Sequence, residues 1–317
     1  MGITKWLAVV LCGGSLTFIS WQSNPASVEV KTKEELGEKL FSDPILSRGR
    51  AISCASCHIP QFAFADSAAF SIGDKGTRLT RNSPGLTNLS GRTDFFWDGR
   101  AASLEEQVLG PLSAHDEMDL PVDQAVERLK RDDFYSAAFQ KVFKTEINTK
   151  NLLSAIAAFE RTLETTDTPY DRYLDGNEKA MSEAAVRGRM LFIGKANCAT
   201  CHSGEDFTAD RFKSIGLFNG KELNDSGRFK ITKDSSHIGL FKVPGLRNVA
   251  VTAPYMHNAM FKTLREVVQY YNTPDKFVNN PINRDLSLGS GLNLSENEVD
   301  DIVAFLEALT DDRFRQK

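Results

Sequence analysis

The chain has 317 residues, 41% of them apolar and 25% charged, with a formal net charge of −4. This composition excludes a disordered, collagenous or multi-span membrane protein and leaves room for two small globular domains. The negative charge also argues against non-specific nucleic-acid binding, which needs a basic face.

The first predicted element is an export segment. Lys5 supplies a basic start, residues 6–19 are nearly all apolar, and Gln22-Ser23-Asn24-Pro25 breaks the run. A secretory signal peptide has this layout. The cleavage site is not clean, so residues 1–26 are read as a signal peptide or a retained N-terminal anchor. Either reading points to a periplasmic protein.

Cys12 lies in that segment, and the other four cysteines form Cys54-Ala-Ser-Cys57-His58 and Cys198-Ala-Thr-Cys201-His202. C-x-x-C-H is the attachment motif of c-type haem: the two thiols form thioethers and the histidine reaches the iron. A redox dithiol or half of a zinc site are the other uses of one such motif. Two copies, each closed by histidine and following an export segment, select two covalent haems. His58 and His202 are then the proximal ligands, and no mature cysteine is left for a disulfide.

The remaining elements read as mostly helical. Residues 31–41 form an amphipathic helix before the first haem loop, and residues 60–120 are rich in Gly, Pro, Ser and Asn, predicting long ordered loops. Short helices follow at 122–130 and 149–163, the latter with Leu152, Ile156, Phe159 and Leu163 on one face. Residues 164–180 read as a polar connection broken by Pro169 and Gly176. Ser182 caps a helix to 192. Capping boxes at Thr263-x-x-Glu266 and Ser295-x-x-Glu298 open helices at 264–271 and 295–309. The strand signal is short, at 238–243.

Leu36-Gly37-x-x-Leu40-Phe41 before the first motif repeats as Arg187-Gly188-x-x-Leu191-Phe192 before the second, and Ala65-Asp66 repeats as Ala209-Asp210. The fold expected is two α-helical cytochrome c-like haem domains related by internal duplication. The N-terminal haem domain is assigned to 27–176 and the C-terminal one to 177–317.

Further residues carry a resemblance. Arg81-Asn82-Ser83-Pro84, Phe95-Phe96-Trp97-Asp98-Gly99-Arg100, Gln107-x-x-x-Pro111, Glu117-Met118, Val243-Pro244-x-Leu246-Arg247-Asn248 and Thr252-Ala253-Pro254-Tyr255-Met256-His257 resemble the bacterial di-haem cytochrome c peroxidase and MauG superfamily over residues 31–312. The resemblance implies that the N-terminal haem meets hydrogen peroxide and the C-terminal haem takes in electrons from a small donor protein, a c-type cytochrome or cupredoxin. It implies that Glu117 works as acid and base on peroxide, with Gln107 orienting it and Pro111 shaping the pocket. Trp97 resembles the tryptophan between the haems; a buried core aromatic is the alternative. Asn82, Thr252 and Pro254 match positions that hold a calcium ion. A homodimer is also implied.

Two positions depart from the usual peroxidase. The histidine that caps the resting N-terminal haem in many members is matched by Asp74, a poor iron ligand, so that haem is expected to have an open sixth position. His115 and His237 are the other residues able to cap it. The methionine on the C-terminal haem is matched by Tyr271, as in MauG-like proteins, with Met256 or Met260 as alternatives. A MauG-like enzyme that oxidises a partner protein is therefore the closest rival to a peroxidase. It would lack the usual surface tryptophan, whose place is taken by Ala196. A non-enzymatic di-haem electron carrier is the rival from another class.

Overall fold

The computed structural model describes residues 29–289 and 291–315. The signal peptide or anchor reading, with Cys12, Trp6 and Trp21, lies outside the described residues. In chain order the helices are α1 (Lys33–Ser42), α2 (Cys54–Cys57), α3 (Leu104–Ser113), α4 (Val122–Lys130), α5 (Asp133–Phe143), α6 (Thr149–Glu160), α7 (Pro169–Leu174), α8 (Glu183–Ile193), α9 (Phe229–Thr232), α10 (Leu264–Asn272) and α11 (Glu296–Ala308). Two two-residue strands, β1 (Phe212–Lys213) and β2 (Phe241–Lys242), pair antiparallel with Phe212 opposite Lys242.

The helices start where side chains can satisfy their free backbone N–H groups. Thr32 and Glu35 form a capping box on α1, Thr263 and Glu266 on α10, and Ser295 and Glu298 on α11. Apolar faces then gather into two cores. Leu36, Leu40, Phe41, Leu112, Leu129, Phe139, Leu152 and Ile156 fill the first. Phe192, Phe207, Tyr270, Val299, Ile302, Phe305 and Leu309 fill the second. Each half is built on one closely packed helix pair, α1 on α6 and α8 on α11. The fold is mostly α, with two cytochrome c-like domains.

The repeated glycines explain the repeated pairs. A Cβ on Gly37 would sit 1.9 Å from the Ala155 carbonyl oxygen, and one on Gly188 would sit 1.8 Å from that of Asp301. Only glycine lets the paired backbones approach this closely. Gly188→Ala would gain about 1 kcal/mol of helix propensity, but the contact is with backbone and the helices must part. Overpacking of that kind costs about 1–3 kcal/mol. We expect Gly188→Ala to lower the melting temperature by several degrees with both haems attached, read by calorimetry.

Three segments differ from the sequence expectation. Residues 60–120 are not all loop, because α3 runs through them with Gly110 and Pro111 inside it. Residues 164–180 contain α7, since Pro169 stands at a first helical position behind the Thr168 cap and starts the helix. Helix α5, capped by Asp132, had no expectation at all.

Polar pairs join the halves. Arg81 bonds Asp98 at 2.6 Å and Asp225 of the second half at 2.7 Å, and Arg92 reaches Asp206 at 2.7 Å and Asp210. The backbone N–H of Lys242, in β2, donates to the Trp97 carbonyl at 2.8 Å. Burial pushes the Asp225 carboxyl up, but bonds from Arg81 and Lys230 outweigh it and hold the group below the usual carboxylate range.

Candidate active site

A connected cavity of about 980 Å³ runs between the halves and is lined by His58, Trp97, Gln107, Pro111, Glu117, Cys198, His202 and Tyr271, among others. A smaller chamber of about 70 Å³ adjoins Cys54, Cys57 and His58 and is also lined by Gln107, Pro111, Glu117 and Glu160.

The two histidines are held alike. His58 Nδ1–H donates to the Phe64 carbonyl and His202 Nδ1–H to the Phe207 carbonyl, both at 2.9 Å. A carbonyl can only accept, so each ring carries its proton on Nδ1 and keeps Nε2 free as a ligand. Burial pulls both imidazoles down, toward the neutral form that binds metal. Burial also pushes the Cys54 and Cys198 thiols up to about 12. A reactive dithiol needs the opposite shift. Paired thiols, an oriented imidazole and a large adjoining cavity fit one covalent haem in each half.

Around the first motif, α3 carries Gln107 and Pro111 one turn apart on the cavity side. The chain then folds back on the end of α3: Met118 N–H donates to the Pro111 carbonyl at 3.1 Å and Leu120 N–H to that of Leu112 at 2.8 Å. That return carries Glu117 into the same chamber. Burial pushes its carboxyl up, Asp116 adds to the rise, and Arg100 opposes it.

Asp74 does not line either cavity. Its carboxylate accepts from the Gly49 N–H at 2.6 Å and the Ala51 N–H at 3.4 Å. His115 is exposed and bonds Asp119, and His237 bonds the Thr232 hydroxyl at 2.9 Å; neither lines a cavity. His257 does. Its ring stacks on Phe241 with centroids 3.6 Å apart, and burial pulls it down to about 4, so it is neutral.

Around the second motif, Leu264, Val267, Val268 and Tyr271 of α10 all face the large cavity. Tyr270 turns away and donates its hydroxyl to the Ile215 carbonyl. Burial first, and the neighbouring Tyr270, Cys198 and Cys201, push the Tyr271 phenol far up. Met256 also lines the cavity, whereas Met260 does not.

Between the motifs, Trp97 Nε1–H donates to the Asn82 carbonyl at 2.8 Å. Asn82 N–H donates to the His257 carbonyl at 2.8 Å, which draws residue 82 against the 252–257 segment. Asn82, Thr252 and Pro254 all line the cavity there. The Asn82 Nδ2 donates to the Ala68 and Ala69 carbonyls, and the Thr252 hydroxyl donates to the Val249 carbonyl.

The sequence profile described as di-haem cytochrome c peroxidase matches residues 31–179, and the cytochrome c profile matches residues 185–310. The methylamine utilization protein MauG of Methylorubrum extorquens is 39% identical over 91% of this chain and 80% of its own length. Cytochrome c551 peroxidase of Nitrosomonas europaea is 34% identical over 88% of this chain and 80% of its own. The chain belongs to the di-haem cytochrome c peroxidase and MauG family. A solved MauG-like protein associated with microbial copper homeostasis superposes with a TM-score of 0.81 at 31% identity, covering 89% of this chain and 92% of that one. As a member of the di-haem peroxidase family the protein is an oxidoreductase of the peroxide-reducing type with covalent haem c. Glu160, buried in the first chamber, lies outside every motif read from the sequence.

Proposed function

We propose that this protein is a periplasmic di-haem peroxidase that reduces hydrogen peroxide to water with electrons from a small redox protein. The observation that carries the reading is the shared chamber of His58, Gln107, Pro111 and Glu117. Cys54, Cys57 and His58 would hold the first haem, and Cys198, Cys201, His202 and Tyr271 the second. When bound, the two irons supply a peroxide site and an electron store. Reduction of H2O2 to two waters consumes two electrons and two protons. Glu117 takes a proton from one peroxide oxygen and returns it to the departing one, which is general acid–base work. Burial raises its pKa above the usual carboxylate range, which favours its taking up a proton. Gln107 orients peroxide by hydrogen bonds, and Pro111 closes the wall beside it.

Trp97 lines the cavity shared by the two sets of haem residues, which supports a role as the bridge for charge. Asn82, Thr252 and Pro254 offer the hard amide and carbonyl oxygens that a calcium ion takes, holding the halves in register around it. The attachment of Asp74 to the backbone at 49–51 supports an open sixth position on the first iron. The MauG-like reading draws on the tyrosine at 271 but lacks a surface route, since Ala196 is buried and Trp97 is the only tryptophan among the described residues. A homodimer is part of the proposal.

Peroxide titration of the as-isolated diferric protein, followed by optical and EPR spectroscopy, tests the assignment. We expect oxidation at one equivalent without prior reduction. Two six-coordinate irons inert to peroxide would leave an electron carrier, and a low-spin bis-histidine first haem would remove the open site.

A further inference from the structure

The peroxide chamber contains a second carboxyl that no motif covers. Glu160 ends α6, is only 4% exposed, and lines the chamber with Cys54, Gln107 and Glu117. Its Oε2 has no hydrogen-bond partner. Burying a lone carboxylate costs far more than burying the neutral acid. Burial accordingly pushes its pKa up to about 8, with Arg161 opposing and Glu105 adding. Cys54 faces it from α2, and Glu105 and Gln107 belong to α3, which packs on α6. The faces of α1 and α4 turned inward are apolar: Leu36, Leu40 and Phe41, and Ala125, Val126 and Leu129. Arg128 of α4 is engaged with the Ile45 and Ser47 carbonyls.

The duplication supplies an internal comparison. Ala155 in α6 and Asp301 in α11 are the two residues on which the helix glycines rest. Counting onward from each, Ile156 matches Ile302, Phe159 matches Phe305, and Glu160 matches Leu306. Leu306 lines the large cavity beside the second motif. The scaffold is therefore satisfied by leucine at this place, and the half with the peroxide chamber has a carboxyl there.

We propose that Glu160 is a second proton-carrying residue of the peroxide chamber, storing a proton and releasing it as peroxide is reduced. The inference rests on the chamber being the peroxide site. The overall step is H2O2 + 2 e⁻ + 2 H⁺ → 2 H2O: the O–O bond breaks, two O–H bonds form, and the donor protein supplies both electrons. Glu117 only moves the substrate's own proton between oxygens and adds none. Glu160 gives one of the two that are consumed, solvent gives the other, and Glu160 is reprotonated from solvent between turnovers.

The test compares the holoprotein with Glu160→Gln, Glu160→Leu and Glu117→Gln. In infrared difference spectra on adding hydrogen peroxide, the wild type should lose a protonated-carboxyl band that both Glu160 variants lack. The wild-type peroxide reaction should slow above about pH 8. The Glu160 variants should be roughly ten- to a hundred-fold slower at neutral pH and lack that limb, a smaller effect than the about 10²–10⁴ of a group touching the reacting atoms. Variants that keep the band and the alkaline limb, with Glu117→Gln still slow, overturn the role of Glu160 alone. A wild type inert to peroxide, or a Glu117→Gln that matches it, overturns the chamber reading instead. Glu160→Leu places the residue of the second half and guards against misfolding in Glu160→Gln. If neither folds, a wild type with no carboxyl band to lose still refutes the proposal.

Discussion

Glu117→Gln should slow the reaction with hydrogen peroxide by about 10²–10⁴-fold while both haems remain attached. Gln has the size of Glu and can still donate or accept hydrogen bonds, but it cannot take up a proton and give it back. The side chain sits in the chamber of His58, and burial is the main cause of its raised pKa. A bystander acid on the 114–120 loop would predict no such loss. Stopped-flow absorbance of the wild type and variant, at matched haem content, measures the ratio. A loss under about threefold would place the acid–base work elsewhere. The variant should also unfold no sooner than the wild type, because an amide is cheaper to bury than a carboxyl that must ionise.

Tyr271→Phe should change the visible spectrum of the second haem and raise its potential, by an amount on the order of 0.1 V within the about 0.8 V that axial ligands command. Phenylalanine keeps the ring that packs in the cavity and removes only the oxygen. An anionic oxygen ligand favours the more positive iron, so its loss favours reduction. Burial holds the phenol protonated in the protein alone, so only a bound cation would draw off that proton. Met256 lines the same cavity. If it were the ligand, Tyr271→Phe would leave the spectrum unchanged and Met256→Leu would alter it. Spectroelectrochemical titration of the two variants separates these outcomes.

Much of the fold was legible because its signals are local. Capping boxes at Thr263 and Ser295 act within one helical turn, and the helices began there. The repeated Gly-x-x-Leu-Phe announced two similar halves, and the close contacts of Gly37 and Gly188 show why the repeat has glycine. Gly110 and Pro111 read locally as a loop, whereas α3 carries them as a helix packed against α6. Pro169 reads locally as a break, although it stands where proline starts a helix.

At the site, motif spacing named the haem cysteines and histidines, and family resemblance pointed to Glu117, Gln107 and Tyr271. Neither could show that Glu117, Gln107 and Glu160 share one chamber. Thioether chemistry needs two thiols one turn apart and an adjoining imidazole, all within five consecutive residues, so the chain itself carries the cofactor assignment. Which acids face that cofactor depends on how α3, its returning loop and α6 pack over long separations. Burial and pKa follow from that packing and from no stretch of sequence. The linear order therefore decided what the protein binds, and tertiary structure decided which of its buried carboxyls stand beside it.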